Sequence, residues 1–361
     1  MYNNGVILMT ALVPTVGHQY LVEMAQFGCE KLTVIICGRS HEPVPGLQRI
    51  LAFKRQFDRD DYPWIKFVLH EDNDAPQNPP DGDQSGFWDY WKAVVEKHVE
   101  GAVDAVFVSE PYGKYLADVL DADFLPIDVN RNVFPVKGER ARSEIRRLDG
   151  RVGSKIMPGF RPFLQRNVTL FGQESVGKTT LTRKLADYYF WQESPEWARQ
   201  YLENTGLPVN EVTMRNILFS QTNQQHAIRN MTDKLVTVRD TDLISTYGYY
   251  KLMMRDGRLP YNMKFLEEIK AGVRIHQENF KNDIHVLLNP KGFPFVPDPL
   301  RYGGDKRETD IQYWRDILEE FGIADYIEVD ARDMDAVSLV QILKGHPKFR
   351  VHQEIGNFKR E

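Results

Sequence analysis

The sequence predicts an α/β protein built from two doubly wound parallel-sheet domains. Three observations carry that prediction. Short apolar runs alternate with segments of helical period along nearly the whole chain, as in βαβ units. A G-x-x-x-x-G-K-[ST] spacing occurs near the middle, between a β-rich run and a helical pattern. At 361 residues, the chain is longer than one average core accommodates, so two domains are expected.

The central motif is Gly172-Gln173-Glu174-Ser175-Val176-Gly177-Lys178-Thr179, entered from Val168-Thr169-Leu170-Phe171 and left through a helical pattern from Leu181 to Tyr189. Strand, glycine-bounded loop and helix together make a P-loop. Its glycines let successive N–H groups turn inward around a polyphosphate, and the helix adds the positive end of its dipole. Lys178 then neutralises the β- and γ-phosphates, and Thr179 places its hydroxyl on Mg²⁺. Gly172, Ser175, Gly177, Lys178, Thr179 and Thr180 form the expected ATP-binding set, in which an ordinary glycine turn is the plain alternative.

Bulk properties exclude other classes. The formal charge of −5 calls for neither a nucleic-acid partner nor an acidic membrane surface. Cys29 and Cys37 sit in apolar surroundings without metal-ligand spacing and read as reduced core thiols. Met1-Tyr2-Asn3-Asn4 leads into a run without a basic start or cleavage site, and no apolar stretch is of spanning length. The expectation is a soluble, cytoplasmic protein.

Along the chain, Val6 to Met9 reads as a buried strand and Thr15-Val16-Gly17-His18 as the turn after it. Tyr20, Leu21 and Met24 recur at helical spacing, so His18 sits near a helix N-terminus, where phosphate is attracted. Strands follow at 32–37, 65–69 and 105–108, and helices at 47–57 and 87–98, with a Pro/Asp/Gly-rich loop over 72–85. Ligands of such a sheet lie at the C-terminal strand ends. Lys137, Arg140, Arg142, Arg146 and Arg147 read as a basic late helix, with a solvated face as the plain alternative. Gly150 to Arg166 reads as the inter-domain linker.

Beyond the P-loop, helices are expected at 195–203 and 210–230 and a strand at 234–239, ending in Asp240-Thr241-Asp242. A carboxylate there holds a metal-bound water or a substrate hydroxyl, and spacing does not say which Asp does which. Helices at 243–254 and 261–280, a strand at 284–288 and a strand and helix ending near 343 complete the pattern. The Pro/Gly-rich segment 289–307 reads as a surface loop or as a lid whose Arg301 and Arg307 meet charge on the transferred group.

The order of Thr15-Val16-Gly17-His18 and a mid-chain P-loop resembles the bifunctional NadR-type proteins. Gly86-Phe87-Trp88-Asp89-Tyr90-Trp91, Glu196-Trp197-Ala198-Arg199-Gln200-Tyr201, Asp240-Thr241-Asp242 and Pro299-Leu300-Arg301-Tyr302 resemble further segments of that family. Thr15 stands where family members often have His, and the late phosphate motif keeps Ile145-Arg146 but not its usual Ile-Ser start. With strand one expected from Val6, no helix-turn-helix domain is expected ahead of it, and the resemblance does not imply repressor function.

The resemblance implies a Rossmann-like nicotinamide mononucleotide (NMN) adenylyltransferase domain over 1–160 and a P-loop ribosylnicotinamide kinase domain over 161–361. ATP, NMN and ribosylnicotinamide would be the substrates, NAD a product and Mg²⁺ the cofactor. Thr15, Gly17, His18 and Arg146 would bind ATP in the first domain, with His18 catalytic, and Trp88 would bind NMN unless it is a core aromatic. In the second domain Lys178, Asp240 and Asp242 would be catalytic, Thr179 and Asp240 would hold the metal, and Glu196, Arg199 and Asp242 would bind ribosylnicotinamide. A nucleotide sensor, or a nucleoside kinase fused to another nucleotidyltransferase, are the alternatives. Oligomeric state is left open, a homo-oligomer included.

Overall fold

The computed structural model describes residues 1–278, 283–296 and 310–358. The chain forms two compact units: Met1–Arg147, Val152–Leu164 and Val351–Glu361 make the first, Leu148–Arg151 and Gln165–Arg350 the second. A single cut after residue 160 is therefore too simple. Leu148 belongs to the core built around Val168, Leu185 and Trp191, and its carbonyl accepts the Trp191 indole N–H at 2.7 Å.

The first unit alternates strands β1 (Tyr2–Met9), β2 (Cys29–Gly38), β3 (Ile65–Glu71), β4 (Ala105–Val108) and β5 (Asp123–Pro126) with helices α1 (Val16–Ala25), α2 (Gly46–Gln56), α3 (Ser85–His98) and α4 (Gly113–Leu120). Helix α5 (Gly138–Arg147) follows β5. All pairings are parallel, in the order β3-β2-β1-β4-β5. The strands run inside helical layers, which is why Val6, Ile7, Val34, Ile35 and Val106 are completely buried. The chain goes one way from β1 to β2 and the other way to β4, so the sheet's switch point lies beyond Met9 and Val108.

Two elements of this unit escape sequence reading. α4 is short, and β5 is a half-exposed edge strand that opens on Asp and closes on Pro, with no apolar run to mark it. The segment from Gly150 to Arg166 is not a free linker. Short 3-10 turns and helix α6 (Arg161–Leu164) bury Ile156, Met157, Phe160 and Leu164, and the Met157 amide donates to Pro14 O at 3.1 Å. Its lack of periodicity reflects tight turns rather than exposure.

The second unit contains β6 (Arg166–Phe171), α7 (Lys178–Tyr189), β7 (Gln192–Ser194), α8 (Trp197–Thr205), α9 (Glu211–Met231), β8 (Val236–Asp240), α10 (Leu243–Arg255), α11 (Met263–Glu278), β9 (Asp283–Asn289), α12 (Ile311–Glu320), β10 (Ile327–Asp330) and α13 (Ala336–Lys344). Its parallel sheet has the order β10-β9-β6-β8-β7, again with the first strand central. β7, only three residues and all of them polar, leaves no strand signal. A last helix, α14 (Arg350–Asn357), lies beyond the expected end, and from Val351 on it packs within the first unit.

Candidate active sites

In the first unit the switch point opens into a cavity of about 460 Å³ walled by the end of β1, by Thr15 and His18, by Phe87, Trp88 and Trp91 of α3, and by Gly138, Glu139 and Arg142 of α5. Thr15 caps α1 from an extended conformation. Its amide N–H donates to His18 Nδ1 at 3.0 Å, and its hydroxyl lies 2.8 Å from the same nitrogen. An amide can only donate, so Nδ1 accepts and the neutral imidazole carries its proton on Nε2. The first α1 amides bonded to the Thr15 carbonyl are those of His18 and Gln19, which leaves Val16 and Gly17 ahead of the helix's own hydrogen bonds.

Trp88 fits both readings of it. It belongs to the core with Val95 and Leu116, stacked on Tyr115 at 5.6 Å and 22°, and its ring also forms part of the cavity wall. Arg146 is a correction: it does not line the cavity but donates to Asn357 Oδ1 at 2.9 Å. Arg142, one turn nearer the N-terminus, is the α5 arginine in the wall, which Arg131 also lines. The available signal was position in the helix, because an anion is favoured at the N-terminal end and Arg146 lies in the last turn.

Sequence reading also passed over Arg49. It is fully buried, pairs with Glu42, and donates to Thr10 O at 3.1 Å and Cys37 O at 3.0 Å. These bonds tie the end of β1 to the end of β2 beneath the cavity. Nothing local distinguishes such an arginine from a solvated one in helix α2.

In the second unit the P-loop has the conformation its glycines require. Gly172 has φ +125° and a Cβ there would come 2.9 Å from Leu288 O, while Gly177 has φ +83° at the start of α7. Lys178 is buried within the loop and donates to Gly172 O at 3.0 Å and Gln173 O at 2.6 Å. Ser175 Oγ accepts the Val296 amide at 2.8 Å, and Thr180 is an exposed residue of the first turn of α7. Arg301 and Arg307, the expected lid arginines, lie outside the described residues.

Thr179 and Asp240 come together, the hydroxyl donating to Asp240 Oδ2. The second oxygen, Oδ1, is buried and has no hydrogen-bond partner among the described residues. A hydroxyl and a carboxylate with a spare oxygen suit the hard oxygen coordination of Mg²⁺.

Asp242 is a second correction, since its carboxylate does not face the P-loop. Oδ1 caps α10 by accepting the Ser245 amide at 2.8 Å, and Oδ2 lies 2.8 Å from His285 Nε2. The cause is Thr241, whose φ of +85° ends the strand's alternation and sends the two carboxylates apart.

Glu196, with Glu174, Arg199 and Tyr249, lines a small cavity next to the P-loop. Burial pushes the Glu196 carboxyl up, opposed by the Lys178 charge and reinforced by that of Asp240. Arg199 stands 3.7 Å from it. Tyr249, raised by burial and by the neighbouring Glu174, Glu196 and Asp240 carboxylates, completes an acidic, aromatic wall.

Two parallel α/β units, one with a cavity at a capped helix start and the other with a P-loop above a Thr–Asp pair, define a two-domain nucleotide-binding protein. Residues 167–336 match the family described as an AAA domain. The chain is 24% identical, over 92% of its length, to the Trifunctional NAD biosynthesis/regulator protein NadR of Escherichia coli K12, of which 81% is covered. With the Salmonella typhimurium protein of the same description it shares 25% identity over 95% of its length and 84% of the other chain. Its fold matches the crystal structure of a NadR protein in complex with NAD and AMP-PNP (TM-score 0.55, 19% identity, 100% of this chain and 98% of that one). A NadR protein in complex with NR matches equally well at 18% identity. In sequence over nearly its whole length, and in fold, the chain is NadR-like.

Proposed function

We propose that the chain is a bifunctional enzyme of NAD synthesis, with ribosylnicotinamide phosphorylated by ATP in the second unit and NMN adenylylated to NAD and pyrophosphate in the first. The observation that carries this reading is the pairing, in one NadR-like chain, of the Thr15–His18 cradle and the Thr179–Asp240 P-loop site. In the first unit no covalent protein intermediate is needed. The NMN phosphate attacks the α-phosphorus of ATP, and the protein's task is to align two anions and offset their repulsion. The His18 Nε2–H, the free start of α1 and Arg142 supply that positive potential, while Trp88 offers an aromatic face to the cationic pyridinium.

In the second unit Lys178 and the amides of the loop bind the phosphates, and Thr179 with Asp240 would hold Mg²⁺, whose charge would offset that of the β- and γ-phosphates. The 5′-hydroxyl of the nucleoside attacks the γ-phosphorus, the bond to the β–γ bridging oxygen breaks, and ADP leaves. With Asp242 turned away, Glu196 is the carboxylate placed to accept the hydroxyl proton, and its raised pKa suits a base. Two carboxylates against the one charge of Arg199, with the Tyr249 ring beside them, leave the cavity wall net negative, which supports a positively charged base such as that of ribosylnicotinamide over neutral nucleosides. The test is chromatography of protein mixed with ATP, Mg²⁺ and either NMN or ribosylnicotinamide: NAD from the first and NMN together with NAD from the second are expected, and absence of turnover of either substrate rules the bifunctional reading out.

A further inference from the structure

The unit that carries the first cavity is completed by the far end of the chain. Residues 351–357 of α14 pack within it, with Ile355 fully buried and His352 donating its Nε2–H to Leu164 O at 2.8 Å. Three further contacts fall on the last turn of α5. Gln353 Nε2 donates to the carbonyl of Arg146 at 3.1 Å, one of the helix-end carbonyls without an intrahelical partner. Gly356 lies so close that a Cβ there would come 2.2 Å from Arg146 Cβ. Arg146 itself donates to Asn357 Oδ1. The other end of the same helix, through Gly138, Glu139 and Arg142, forms the cavity wall. In α5 Arg142 lies one turn, about 6 Å along the axis, from Arg146, so a shift of the anchored end is passed on to Arg142.

We propose that α14 is a positioning element for the first site: Gly356 and Asn357 fix the end of α5 and so set where Arg142 meets the nucleotide phosphates. Arg146 is thereby an anchor rather than a ligand. The proposal rests on the adenylyltransferase reading for its kinetic consequence only, because the anchoring of α5 is measurable without turnover.

The experiment compares full-length wild type with Gly356→Ala, which forces the helices apart, Asn357→Leu, which removes the acceptor, and Asn357→Asp, which keeps one. Amide hydrogen exchange over residues 138–147 is expected to rise about tenfold in the first two and to stay near wild type in Asn357→Asp, with residues 178–189 unchanged in all. In adenylyl transfer, KM for ATP is expected to rise about fivefold in Gly356→Ala and Asn357→Leu while kcat changes less than twofold, and ribosylnicotinamide phosphorylation should not move. A merely structural loss would lower the amount of active protein with KM intact. Unchanged exchange over 138–147, or altered exchange with unchanged KM, overturns the proposal. Wild type that makes no NAD refutes the reading of the first site, and the exchange result by itself then upholds or overturns the anchoring.

Discussion

His285 Nε2 and Asp242 Oδ2 lie 2.8 Å apart inside the second unit, and this contact takes Asp242 away from the P-loop. Asp240, two residues earlier, faces Thr179 instead. The two carboxylates of one short turn thus have different work.

Their substitution should separate accordingly. Asp240→Asn is expected to slow ribosylnicotinamide phosphorylation on the order of 10²-fold or more, with little effect on folding. Asp242→Asn should lower stability by about 3 kcal/mol while activity per folded molecule changes only a few-fold. Burial alone would raise the Asp242 carboxyl, but the His285 and Ser245 hydrogen bonds hold it below the usual range. A group depressed in the fold stabilises above its unfolded pKa of about 4 and loses that contribution as pH falls further, so urea midpoints below pH 4 should fall in wild type more than in Asp242→Asn.

The two reactions should be separable by one lysine. Lys178→Ala is expected to abolish ribosylnicotinamide phosphorylation while NMN is still converted to NAD, read by chromatography of the two assays in parallel. Loss of both would tie the first reaction to the P-loop.

Arg142 and Arg146 should differ in kind. Arg142→Ala removes a cation from the cavity wall and is expected to slow adenylyl transfer on the order of 10²-fold. Arg146→Ala loosens only the far end of α5 and should raise KM for ATP a few-fold, measured in initial-rate titrations. Equal effects would return Arg146 to the site.

Trp88→Leu should weaken NMN binding by roughly 0.5 to 2 kcal/mol, the worth of a flat cation on an indole face. Calorimetry on the variant decides it. A protein that unfolds instead would leave the ring as core, where it already packs with Val95.

Acid should unfold the second unit through a further carboxylate. Burial by itself would raise Glu320, yet hydrogen bonds from Lys251, Lys270 and Tyr247 bring it down to about 2. Its contribution is complete above the ordinary glutamate pKa and disappears as pH falls toward 2. Glu320→Gln should lower the melting temperature at pH 7 and narrow its gap from wild type near pH 2.

Much of this molecule was legible in its sequence because the signals were local. Continuous apolar runs marked the buried strands, as at Ala105 to Val108, and the fixed spacing from Gly172 to Thr179 marked the P-loop with its lysine and threonine. β5, β7 and α14 were not legible, because an edge strand or a short terminal helix takes its stability from the neighbours it meets rather than from its own pattern.

The amino-acid order thus determined which chemical groups exist and which loop cradles phosphate, since a P-loop is made by the backbone of consecutive residues. Only the tertiary structure decided which distant side chains come together: Thr179 with Asp240 and not Asp242, past the left-handed Thr241, and Arg146 with Asn357 while Arg142 lines the cavity. Side-chain direction depends on φ at one residue and on contacts across more than two hundred positions, and neither is written in local spacing.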